Sequence, residues 1–240
     1  MQRRDKTISE ITFQTRTGRY HRENALACED IVRYHENKDF IAAALADGAT
    51  GCRYSLTGAQ CAAEAALSFI ETEKDGLFDF SERRIGYLLT GYIKELIADK
   101  AYPEKDLSEY GSTLLVAAIK KSEGLALLIK LGNGKCLAQK NGRLIDPFMY
   151  RSAGGERYLT TDRVAFAVVR ARIVKLEQND GIFMCTDGFE EMVYNKYRRA
   201  IESVHGLLVP GVAGKLIDNS EIEDDAAFLM IRESNMKGEA

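Results

Sequence analysis

Apolar residues in this chain repeat with two different periods, and the change of period divides the chain into helices and strands. From Leu56 to Glu73, the positions Ala59, Ala62, Ala63, Ala66, Leu67 and Ile70 recur at steps of three and four. That spacing marks one face of a helix, here lined by side chains small enough for close packing. A second helix is predicted over Ser81–Lys100. Ser81 provides an N-cap oxygen, and Ile85, Leu88, Leu89, Tyr92, Ile93 and Leu96 share one face.

Most of the remaining apolar positions alternate or run together over short lengths. They predict strands at 9–14, 30–34, 40–46, 113–119, 126–131, 136–139, 164–169, 182–186 and 226–231. Turn-forming stretches separate several of them: His35-Glu36-Asn37-Lys38-Asp39, Lys121-Ser122-Glu123-Gly124, Gly132-Asn133-Gly134 and Asn141-Gly142. Strands joined by turns this short are antiparallel neighbours. Two long helices after the third strand, followed by a meander, predict an α+β layered sandwich, and the order does not fit a βαβ alternation. No repeat, low-complexity stretch or Pro-rich linker interrupts the chain, so one domain over residues 1–240 is expected.

Composition narrows the class. The chain has 240 residues, 45% hydrophobic and 29% charged, with a formal net charge of −3. Acidic and basic residues are mixed along it, which gives no electrostatic reason to expect nucleic acid. No apolar run reaches the length of a membrane span, and the N-terminus lacks the apolar core of a secretory signal. The cysteines (Cys28, Cys52, Cys61, Cys136, Cys185) are odd in number, widely spaced and without a CxxC pair. That pattern favours a reducing cytoplasm over a disulfide frame. His21, His35 and His205 form no zinc-ligand spacing.

Three acidic signatures stand where apolar strands meet loops: Ala46-Asp47-Gly48, Thr186-Asp187-Gly188 and Asp224-Asp225. Each alone reads as a turn. Together they are costly carboxylates at strand ends that need cations, and they would suit a hard oxygen-ligand site for Mg²⁺ or Mn²⁺. The hairpin turning at 35–39 brings Glu29, Asp30 and Asp47 to one edge, because the start of its first strand lies beside the end of its second.

Five elements then occur in a recognisable order. They are Gly18-Arg19-Tyr20-His21 with Cys28-Glu29-Asp30; Ala46-Asp47-Gly48-Ala49 with Gly58-Ala59; Tyr110-Gly111-Ser112-Thr113 with Leu131-Gly132-Asn133-Gly134; Cys185-Thr186-Asp187-Gly188-Phe189; and Asp224-Asp225-Ala226-Ala227. This order resembles the metal-dependent serine/threonine protein phosphatases of type 2C, in their compact bacterial form, across roughly residues 10 to 231. The resemblance implies a four-layer αββα sandwich, with two antiparallel sheets packed face to face and helices outside. It implies two divalent cations, Mn²⁺ or Mg²⁺, and a bridging water that attacks phosphorus in line on a phosphorylated protein substrate.

By the same carry-over, Asp47 bridges both cations, Asp187 and Asp224 hold the first, and Glu29 and the Gly48 carbonyl hold the second. Asp30 orients the water, which makes Asp30 and Asp47 the expected catalytic pair. Ala25 stands where many relatives place a phosphate-binding arginine, with Arg19, Arg22 and Arg53 as possible substitutes. Ala49 stands where some carry a histidine, Asn133 where many carry an acid, and Glu191 where a further acid often lies. Asp225 is expected to be solvated, and Gly154-Gly155 resembles the family's flap. A non-catalytic sensor and a hydrolase of small phosphate esters stay open as alternatives.

Overall fold

The computed structural model describes residues 7–101, 106–141, 143–148, 159–204, 206–207, 209 and 211–235. Ten strands and six helices are defined among them. In chain order they are β1 (Thr7–Arg16), α1 (Arg19–Glu23), β2 (Asp30–Glu36), β3 (Phe40–Asp47), α2 (Ser55–Glu73), α3 (Glu82–Lys100), β4 (Leu114–Lys120), β5 (Leu125–Leu131), β6 (Lys135–Lys140), β7 (Arg143–Ile145), α4 (Ala165–Val168), β8 (Arg170–Lys175), β9 (Gly181–Cys185), α5 (Asp187–Tyr197), α6 (Val212–Asp218) and β10 (Ala226–Asn235). The strands form two five-stranded sheets, ordered β1-β10-β9-β6-β7 and β2-β3-β4-β5-β8. The strand pairs described are antiparallel.

Alternation within each apolar strand builds three cores and so four layers. Ile41, Ala43 and Leu45 of β3 face the gap between the sheets, where Leu115, Leu128, Ile182, Met184 and Leu229 meet them. The intervening Ala42, Ala44 and Ala46 face the other way, onto Ala59, Ala62, Phe69, Leu89 and Ile93 of α2 and α3. On the far side of the molecule, Phe183, Phe228 and Met230 pack under Phe189 and Val193 of α5 and Leu216 and Ile217 of α6. A strand buried on both faces has no polar alternation to show, which explains the unbroken run at 40–46. The αββα sandwich expected from the sequence is the fold observed.

Three expectations about elements need correction. Residues 165–168 form a short helix, and the strand is displaced to β8 at Arg170–Lys175. Arg170 and Arg172 had masked it: they stand half-buried on this edge strand and pair with Glu82 of α3, where the sequence alone shows only charges. Gly132-Asn133-Gly134 is not a hairpin within one sheet, since β5 and β6 belong to different sheets and the segment crosses between them. Gly132 and Gly134 take φ of +89° and +76° there, a region glycine enters without penalty. Finally, Asp187 opens helix α5 where the sequence suggested a loop. The glycine pair at 154–155 and its neighbours Arg151, Glu156 and Arg157 lie outside the described residues, as does Gly142.

Candidate active site

Both sheets end at one rim, and the acidic signatures meet there. Asp30 and Asp47 face each other across the β2–β3 ladder as direct register partners. From the other sheet, Thr186 at the end of β9 donates its hydroxyl to Asp30 Oδ2 at 2.8 Å and accepts from the Ala227 amide at 2.9 Å. One threonine thus ties the first strand of one sheet to two strands of the other. Asp187 follows it as the first residue of α5, where an acid suits the positive end of the helix.

Gly48 is closely packed. A Cβ on it would stand 3.0 Å from Glu29 Cβ and from Ser55 atoms, and its amide donates to the Glu29 carbonyl at 3.2 Å. Glu29 and Gly48 therefore lie side by side, just outside the ladder. The turn after β3 is anchored on its other flank, where the Thr113 amide donates to the Asp47 carbonyl at 2.8 Å and the Ala49 amide to the Gly111 carbonyl at 3.0 Å. Ser112 pairs with Gly48 as an isolated bridge.

The charge pattern at this rim is unbalanced. Asp30 is 3% exposed, and its Oδ1 is buried without a hydrogen-bond partner. Burial raises its pKa well above the carboxylate range, offset by the Thr186 hydroxyl and reinforced by the charges of Asp225 and Asp187. Asp47 is pushed up to about 10, by burial first and then by Asp30, Asp187 and Asp224. Asp224 is exposed as a residue, yet loss of solvent around its carboxyl is the first cause of its raised value. Its exposure makes this upward push the weakest of the three. Cys28 nearby is also raised, by burial first and then by Asp30 and Asp225, and stays a thiol.

These groups lie close enough to repel one another. Even so, among the described residues no three acid, imidazole or thiol groups close into a finished cation cage. What is present is a set of oxygen donors with no thiolate or imidazole among them, one orphaned carboxylate oxygen and uncompensated negative charge. That chemistry fits hard divalent cations.

Each residue named from the sequence has a definite place. Glu29, Asp30, Asp47 and Gly48 gather on the β2–β3 side of the rim, with Asp187 and Asp224 on the β9–β10 side. Asn133, in the crossing segment, donates from Nδ2 to Asp187 Oδ2 at 2.6 Å. Glu191 is not part of the rim; it is exposed on α5 and accepts from Asn195 at 3.4 Å. Ala25 sits exposed at φ 55°.

Of the three arginines, Arg19 pairs with Glu223 at 2.7 Å with both side chains more than half exposed. Arg22 bonds the Thr17 carbonyl, and Arg53 lies 5.3 Å over the Tyr54 ring. Asp225 overturns its expected solvated role. It is 4% exposed and accepts from the amides of Gly18 at 2.7 Å and Glu29 at 2.6 Å, with His21 Nδ1 2.8 Å away. Thr186, His21 and Asp225 all occur within the quoted elements, but nothing in linear spacing shows that they converge.

A sequence profile described as protein phosphatase 2C matches residues 17–211. No curated protein matches the chain in sequence. Solved structures share the fold at low identity. A bacterial serine phosphatase bearing a single arginine-to-glutamate mutation has a TM-score of 0.65 at 18% identity, covering 95% of this chain and 99% of that one. The serine/threonine phosphatase of S. agalactiae has a TM-score of 0.60 at 15% identity, with 93% and 99% covered. RsbX in complex with magnesium has a TM-score of 0.57 at 10% identity, with 97% and 98% covered.

Proposed function

Because the chain belongs to the protein phosphatase 2C family, we propose that it is a metal-dependent phosphatase acting on phosphoserine and phosphothreonine in proteins, as one domain working in the cytoplasm. The observation that carries this reading is the burial of Asp30 and Asp47 as register partners at a rim shared with Asp187 and Asp224, which raises both carboxyls. Carboxylates that resist ionisation together become stable anions when cations arrive.

In this reading Asp47, Asp187 and Asp224, with Glu29 and the Gly48 carbonyl, would hold two divalent cations. The magnesium in the RsbX complex supports a divalent ion here. When bound, two such ions, Mn²⁺ or Mg²⁺, neutralise a phosphate dianion and acidify the attacking water. Asp30, buried and fixed by Thr186, has one oxygen without a partner and would serve as a proton acceptor there. Asn133 donates to Asp187 Oδ2 and the Gly188 amide to Oδ1, which together orient this carboxylate. Arg19, on α1 beside the 222–225 segment, is the cation we assign to the incoming phosphate, since a surface pair with Glu223 is weak enough to exchange.

The test is hydrolysis of a phosphoserine or phosphothreonine peptide with added Mn²⁺. Loss of turnover in Asp47→Ala and on chelation is expected; turnover that survives both would reject the mechanism. Ala25 in place of a phosphate-binding arginine, together with Asn133 in place of an acid, motivates a second reading, a sensor without turnover. Calorimetry showing two Mn²⁺ sites, with no hydrolysis across a panel of phosphopeptides, would favour that alternative. Faster turnover of phosphorylated metabolites than of peptides would point to a small-ester hydrolase.

A further inference from the structure

Glu29 lies outside the β2–β3 ladder, after a segment (residues 23–27) that is exposed throughout and contains Ala25 at φ 55°. Two backbone bonds hold it. Its carbonyl accepts from the Gly48 amide at 3.2 Å, and its own amide donates to Asp225 Oδ2 at 2.6 Å. The second bond ends on a side chain, so the placing of Glu29 depends on what fixes that carboxylate.

Asp225 is fixed from three directions. Its Oδ1 accepts from the Gly18 amide at 2.7 Å, and its Oδ2 faces His21 Nδ1 at 2.8 Å. An imidazole nitrogen facing a carboxylate is the protonated one and donates. The Asp225 backbone is itself hemmed in, because a Cβ on Gly188 would stand 2.0 Å from its carbonyl oxygen, and a Cβ on Gly18 would stand 2.3 Å from the carbonyl carbon of Asp224. His21 brings its imidazole to Asp225 beside the Cys28 thiol, and its own side chain is only 16% exposed.

We propose that His21 and Asp225 form a positioning pair that sets Glu29 against Gly48 for a divalent cation. This rests on the metal reading above. His21 touches neither substrate nor cation in this role: it orients Asp225, Asp225 holds the Glu29 amide, and Glu29 presents its carboxylate. Carboxylate–histidine partners behind a metal ligand characteristically change affinity by about 10–100-fold when removed.

Isothermal calorimetry with Mn²⁺ and amide hydrogen exchange on the metal-free protein test the pair together. His21→Ala is expected to raise the Mn²⁺ Kd by about tenfold or more, and to speed exchange at the Glu29 amide. His21→Asn, whose Nδ2 stands near the place of the imidazole Nδ1, is expected to restore most of both. Combined with Glu29→Gln, His21→Ala is expected to add no further loss of affinity, because both act through one ligand. Phe69→Leu, in the helix-side core, serves as the control for lost stability and is expected to leave the Mn²⁺ Kd unchanged. An unaltered Kd in His21→Ala, a full additive loss in the double variant, or the same loss in Phe69→Leu overturns the proposal. A wild-type chain that binds no Mn²⁺ overturns the metal reading and this role with it, whatever the amide shows.

Discussion

Replacing Asp47 by Asn should stabilise the metal-free protein while removing its response to metal. The metal-free fold holds Asp47 with a pKa of about 10, against 3.8 in the free residue. A raised folded value means that folding takes up a proton. The resulting stability is complete below the free value and is lost as pH rises toward the folded one. Between these limits the metal-free protein should weaken steadily with pH.

At about pH 7.5, keeping a carboxyl of free value 3.8 protonated costs on the order of 5 kcal/mol, from ~1.36 kcal/mol per pH unit. Coupling to the buried Asp30, and relaxation around the group, reduce this; we take about half, ~2–3 kcal/mol, as the gain from an uncharged isostere. For a chain of this length each kcal/mol moves Tm by about 2–4 °C, so Asp47→Asn should melt roughly 5–10 °C higher without metal. Thermal melts across about pH 5–9, with EDTA and with Mn²⁺, provide the assay. Wild type should lose Tm with rising pH and recover it with Mn²⁺; the variant should do much less of either. A metal-free variant that melts at or below wild type, or one that gains as much from Mn²⁺, refutes the reasoning.

Three further outcomes follow from the same contacts. Thr186→Val removes the hydroxyl that serves Asp30 Oδ2 and the Ala227 amide; urea unfolding should show a loss of about 1–3 kcal/mol for stranding buried polar groups. Asn133→Asp replaces a 2.6 Å donor to Asp187 with a like charge. Its metal-free Tm should fall by several degrees and its gain from Mn²⁺ should exceed that of wild type; an unchanged Tm would mean that the Asn133 bond contributes nothing. Arg19→Ala should raise KM for a phosphopeptide several-fold with kcat little changed, and steady-state kinetics showing the reverse split would remove Arg19 from phosphate binding.

How much of this could be read in the sequence depended on whether the cause was local. Helix α2 follows from its alanine stripe and α3 from Ser81, whose hydroxyl caps the Arg84 amide. The edge shared by Glu29, Asp30 and Asp47 follows from one hairpin, because register is a local property of the turn. Strand β8 was misplaced because edge charges erase the alternation that marks a half-buried strand. Asp225 was misjudged for a different reason. Its three partners come from residues 18–29, some two hundred positions away in the chain, and no periodicity records a contact of that kind. The Gly-Asn-Gly crossing has the composition of a hairpin turn, and only the sheet assignments of β5 and β6 separate the two.

The acids of the rim are drawn from opposite leaves of the sandwich, and this has a mechanical consequence. An ion seated among them acts as a clasp at one end of two stacked plates and leaves the other end free. Loading it should slow amide exchange in both leaves at 29–30, 47–48 and 185–188 together, while the distant bends at 37–39 and 121–124 keep their own pace. Occupancy by the ion would then be felt as alignment of one plate over the other.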